Sequence, residues 1–128
     1  MLGLNKQNTY ISFVFFRGTN SFDRIVVGLL LFDNDNIYAY YNKDKVKIVN
    51  KLLNKNTSDL FKYSVKNIIK KLNTNNKKEI LQSSFKNYYD LIYNYSIYCN
   101  GIIGYEKPSK IFIECNKENF EKLIEKYF

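Results

Sequence analysis

Two runs of β-branched and aromatic residues lie near the start of the chain, Tyr10 to Arg17 and Arg24 to Phe32, with the polar segment Gly18-Thr19-Asn20-Ser21 between them. Apolar runs of this length on either side of a turn predict a β-hairpin. The second run is apolar at successive positions instead of alternating, so it belongs in the interior of a sheet with helices on at least one side. Gly28 inside it predicts a bulge or a close backbone approach. Asp33-Asn34-Asp35-Asn36 supplies turn chemistry, and Ile37 to Tyr41 returns as a third strand of an antiparallel meander.

From Asp44 the period changes. Val46, Val49 and Leu53, flanked by Ile48 and Leu52, follow helical spacing over about three turns. Thr57 or Ser58 can cap a second helix, in which Phe61, Val65, Ile68, Ile69 and Leu72 form one apolar stripe that ends at Asn73. Leu81, Phe85, Tyr88, Ile92 and Tyr95 then recur at spacings of four and three, predicting one long helix to about Tyr98 that Asn100-Gly101 terminates. Ile102 to Tyr105 and Lys110 to Cys115 read as short strands around Pro108, the sole proline. A last helix from Asn116 places Phe120, Leu123, Ile124 and Tyr127 on one face, with Glu118 and Glu121 favourable near its positive end. The expected fold is α+β: one domain over residues 1–128, with an antiparallel sheet covered by three or four helices.

Composition changes this picture little. At 128 residues with 45% hydrophobic content the chain supports one core, and the Tyr- and Phe-dominated 17% aromatic share supplies much of it. Cys99 and Cys115 form no C-x-x-C pair, and the first residues lack the features of a secretory signal, so a reducing cytoplasm is the expected location. The apolar run Ile25 to Phe32 is far short of the ~20 residues a spanning helix needs, and no membrane association is expected.

A net charge of +8 raises the question of a phosphate-rich partner. Nearly all of the positive charge is lysine, with arginine only at positions 17 and 24, whereas two-pronged phosphate or guanine recognition favours arginine. Lys62, Lys66 and Lys70 stack along one helix face with Lys77 and Lys78 nearby. They can track phosphates or form the solvated face of an amphipathic helix.

The absence of histidine excludes Ser-His, Cys-His and histidine-based acid/base schemes. The acids define no catalytic pair, so no catalytic residue, metal site or cofactor is assigned. Asp33-Asn34-Asp35 resembles the start of a calcium loop but lacks the glycine such a loop needs at its sixth position, and reads as a turn. Tyr88, Tyr89, Tyr93 and Tyr95 give the long helix a tyrosine density suited either to a partner surface or to a core margin. Arg17, Asp23 and Arg24 bracket the first hairpin, where Arg17 and Asp23 can pair across the strands.

The stretch Ser21-Phe22-Asp23-Arg24-Ile25-Val26-Val27-Gly28, with the strand, turn and helix that follow, resembles a large uncharacterised bacterial family in which an arginine and an acidic residue precede an Asn-Val-Gly strand motif. Here Val26-Val27-Gly28 stands in place of Asn-Val-Gly. The resemblance covers about the first 55 residues. Some members are encoded near HipA-like kinases, which implies an accessory role in a toxin-antitoxin or phage-defence setting.

The expected function is a non-catalytic protein-binding or regulatory module using Arg17, Asp23, Arg24 and the helix tyrosines, with a protein partner or a second copy of the chain as its ligand. The alternative is a nucleic-acid-binding protein that uses Lys62, Lys66, Lys70, Lys77 and Lys78.

Overall fold

A computed structural model describes residues 8–18, 24–74, 76–99 and 101–128. The meander is present as β1 (Thr9–Arg17), β2 (Arg24–Phe32) and β3 (Ile37–Tyr41). The helices α1 (Lys43–Leu52), α2 (Lys55–Leu72), α3 (Lys77–Leu81) and α4 (Tyr88–Tyr98) follow. Then come β4 (Ile103–Tyr105), β5 (Ser109–Ile111) and α5 (Lys117–Tyr127). All strand pairs are antiparallel, in the order β3-β2-β1-β4, with β5 also on β1. The α+β class and the interior position of β2 agree with the sequence expectation.

β4 and β5 lie end to end along the same edge of β1, pairing with Val14–Phe16 and Thr9–Ile11 respectively. Pro108 falls in the gap between them, where its missing N–H removes no ladder bond. The second strand is shorter than expected, because Ile111 already pairs with Thr9, the first residue of β1. Phe112, beyond it, is 88% exposed.

The sheet is covered on both faces. On one, Val14, Phe16, Val27, Leu30 and Phe32 meet the buried residues of α1 through α4. On the other, Ile11, Leu29 and Leu31 meet Phe120 and Leu123 of α5. This explains the unbroken apolar run in β2, which has no solvent face to supply with polar residues. A bulge opposite Val14/Phe15 leaves Val27 without a partner, since Val14 pairs with Gly28 and Phe15 with Val26. Val27 consequently points to the four-helix face while Leu29 and Leu31 point to α5. A Cβ on Gly28 would lie 2.5 Å from the Tyr40 carbonyl oxygen, so the bulge and the close approach expected of this glycine occur together.

All five helices among the described residues are capped by asparagine. Asn42, Asn54, Asn76, Asn87 and Asn116 each accept the backbone N–H three residues on. Each cap satisfies one otherwise unpaired N–H, worth about 1 kcal/mol. This corrects the start of α2: Asn54 caps it, and Thr57 is the donor. The long helix expected through Tyr98 is divided into α3 and α4, which brings the helices among the described residues to five. Gln82 and Ser83 turn left-handed at φ 51° and 59°, and Asn87 caps a new start. Asn73 ends α2 as anticipated.

Candidate functional site

Positive charge is concentrated on one helical pair. Residues 43–72, which hold α1 and α2, carry nine lysines against two aspartates, a net +7 of the chain's +8. α5, by contrast, has three lysines and three glutamates. α1 and α2 pack on each other and on the β2–β3 side of the sheet. Their buried faces are apolar, through Val46 and Val49 in α1 and Phe61, Val65, Ile69 and Leu72 in α2. Helical periodicity therefore turns the lysines outward: Lys43, Lys45, Lys47 and Lys51 of α1 and Lys55, Lys62, Lys66 and Lys70 of α2 are all exposed. Among the described residues none of them is within salt-bridge distance of a carboxylate. Tyr63, 66% exposed, stands beside Lys62 in sequence and one turn from Lys66.

Lys77 and Lys78 are not part of this pair of helices. Lys77 is bound to Asp35 at 3.0 Å, and both flank a shallow depression next to the α3–α4 break.

The tyrosine-rich helix divides its side chains. Tyr88 is 1% exposed and belongs to the core, so its ring packs and presents no surface. Tyr89 lies against Tyr10 at 4.6 Å and stacks on Tyr93 at 6.0 Å, while Tyr95 packs against Tyr105 at 5.1 Å. Burial raises the Tyr88, Tyr95 and Tyr105 hydroxyls above the ordinary tyrosine range. Only Tyr93 and Tyr98, 40% and 70% exposed, face outward from this helix together with Ile97.

The two arginines converge. Arg17 and Arg24 are Cα partners across β1 and β2, and their guanidinium carbons lie 5.4 and 4.4 Å from the centre of the Phe15 ring. The Arg17 guanidinium also donates to the carbonyls of Cys99 (3.2 Å) and Gly101 (2.8 Å), tying the end of α4 to the sheet. Arg24 has no such acceptor and no carboxylate partner among the described residues. Asp23 lies outside them, so the expected Arg17–Asp23 pair is not described.

Arg24 borders a cleft of about 490 Å³. The cleft adjoins the place where β3 has ended at Tyr41, opposite Gly28; beyond the Asn42 N–H that donates to the Val27 carbonyl (2.7 Å), Arg24 to Val26 have no strand partner on that side among the described residues. Phe13 and Tyr127 line one part of it, edge to face at 5.0 Å. Lys45 enters from α1, and Glu106 from the segment after β4. The Glu106 backbone is fixed by its N–H to Phe13 (2.9 Å) and by the Ser12 hydroxyl on its carbonyl (2.6 Å). Sequence spacing gave no sign of this grouping, because its members come from β1, β2, α1, α5 and the segment after β4.

The two thiols lie in different surroundings. Burial raises the Cys99 thiol, partly offset by Arg17, and burial followed by the Asp33 charge pushes Cys115 up to about 12. Neither is poised as a nucleophile at neutral pH. The Asp33 carboxylate accepts the N–H groups of Asp35 and Asn36 at 2.9 and 2.8 Å, which is turn chemistry. Among the described residues no three Cys, Asp or Glu side chains assemble into a set able to hold a metal ion. None of the described helices is long and apolar enough to cross a membrane. No protein-family model matches the chain, and neither a curated protein nor a solved structure is significantly similar to it.

Proposed function

We propose that this protein is a non-catalytic binding module that engages nucleic acid through the exposed lysine face of α1 and α2. The observation that carries the reading is the segregation of charge: nine lysines and two aspartates in one helical pair, with the rest of the chain nearly neutral. A lysine surface serving solubility alone has no reason to be confined to one side. Concentrated on two adjacent helices, it creates a local field that attracts a polyanion and releases condensed counterions on binding. Tyr63 among Lys62 and Lys66 adds a ring on which a base can stack.

The test is binding to single- and double-stranded DNA and RNA across a salt series. Affinity should fall steeply with salt, and reversing Lys62, Lys66 and Lys70 to glutamate should weaken binding and flatten the log–log slope by about 2 to 3. Salt-independent affinity, or no binding at low salt, overturns the reading.

A second reading is a protein partner docked on α4, favoured by the adjacent exposure of Tyr93, Ile97 and Tyr98. Mutation of these residues would then weaken partner binding with little salt dependence.

A further inference from the structure

The cleft beside Arg24 combines three chemistries. Phe13 and Tyr127 form an aromatic wall. Arg24 and Lys45 supply two cations, one from the sheet and one from α1. Glu106 supplies a single acceptor carboxylate on a backbone held at two points.

Among the described residues Arg24 has neither a hydrogen-bond acceptor nor a carboxylate partner. Its Cα partner Arg17 is a like charge, and like charges directly opposed across strands destabilise a hairpin. Arg17 offsets that through two carbonyls, whereas among the described residues Arg24 is held by the face of Phe15 alone. Stacking in this way orients the guanidinium and leaves its N–H fork open to an anion.

A simple anion would use the cations and ignore the ring wall, and an apolar molecule would do the reverse. A nucleotide uses all three: phosphate on Arg24 and Lys45, base against Phe13 and Tyr127, and a base amino group or sugar hydroxyl donating to Glu106. The volume, about 490 Å³, falls within the range of small-molecule sites. Lys45 also belongs to the lysine row of α1, so a strand with one nucleotide in the cleft can continue over that helix.

We propose that this cleft binds one unstacked nucleotide unit, either free or within a single strand. The strand form rests on the nucleic-acid reading above, while the free form stands without it. A base seated against the ring wall must leave its stack, so single strands should be preferred over duplex.

The experiment titrates the full, ¹⁵N-labelled chain with a mixture of the four ribonucleoside 5′-monophosphates, with inorganic phosphate as control. In parallel, fluorescence anisotropy compares a labelled single strand with its duplex. Amide shifts are expected at Ile25, Val26, Lys45 and Glu106, larger than with phosphate. They should be lost in Arg24→Gln, whose melting temperature reports that it folds, and retained when Lys62, Lys66 and Lys70 are reversed to glutamate. The single strand should bind about tenfold more tightly than the duplex. Absent shifts, or shifts matched by phosphate alone, overturn the cleft assignment even if polymers bind. Cleft shifts without any polymer binding overturn the α1–α2 reading and leave a site for free nucleotides. Cleft shifts with equal affinity for strand and duplex likewise overturn the strand form.

Discussion

Arg17 and Arg24 face each other across β1 and β2, and both place their guanidinium groups over the ring of Phe15. Phe15 is buried although neither core cluster contains it, because its ring lies against Gly104 of β4 and under the two guanidinium groups. Their duties differ. Arg17 joins β1 to the chain after α4 through two carbonyl acceptors, and Arg24 is exposed beside the cleft.

Arg17→Ala should therefore cost about 2 kcal/mol of stability, the loss of charge-assisted hydrogen bonds in a part-exposed setting. Arg24→Ala should cost under about 1 kcal/mol, the value of an exposed cation–π contact. Urea denaturation of the two variants measures the difference, and equal losses would contradict this division of roles.

Gly28 and Gly101 offer a matched pair. A Cβ at Gly28 meets the Tyr40 carbonyl oxygen at 2.5 Å, whereas at Gly101 it meets nothing within 4 Å. Gly28→Ala should destabilise by about 2 to 3 kcal/mol as β2 and β3 are forced apart, and Gly101→Ala should be nearly neutral. Thermal melts of both variants decide the point.

Asn73 acts as a short piece of strand. Its side-chain amide accepts the Ala39 N–H at 2.9 Å and donates to the Ala39 carbonyl at 2.8 Å, closing the outer edge of β3. Asn73→Ala should cost about 1 to 2 kcal/mol for two hydrogen bonds. It also reopens an unpaired edge, so concentration-dependent association should appear in analytical ultracentrifugation.

Stability should decline at alkaline pH. Tyr88, Tyr95 and Tyr105 have raised hydroxyl pKa values in the fold, as do the Cys99 and Cys115 thiols, with burial the leading cause for each. A raised acid keeps its proton longer when folded, so its contribution is complete below the unfolded pKa and lost as pH rises. The ordinary values are 9.0 for the thiols and 10.0 for the tyrosines, so denaturation midpoints should drop from about pH 9 upward. Cys115→Ser should make the decline between about pH 9 and 10 shallower, and only the double change with Cys99→Ser should move its start toward pH 10.

The strands and most helices were legible in the sequence because their signals are local. The doubly apolar run in β2 and the stripe from Phe61 to Leu72 report one buried ribbon and one amphipathic helix, whatever packs on them. The α3–α4 break was not legible from periodicity, since Leu81, Tyr88 and Ile92 all reach the core and keep helical spacing across it. Asn87 was the available signal, an N-cap residue three before Asp90, just as Asn54 stands three before Thr57.

The sequence by itself determined how much charge this protein carries and that lysine bears nearly all of it. Helical periodicity then set which lysines of α1 and α2 turn away from the core. Only the tertiary structure decided that those two helices lie side by side, that Tyr88 is buried while Tyr93 is not, and that Arg24, Lys45, Phe13, Glu106 and Tyr127 border one cleft. The physical reason is that burial and convergence depend on which elements pack together. The ladder between β1 and β4, the bulge at Val27 and the seating of α5 arise from contacts between residues distant in the chain, and no local spacing records them.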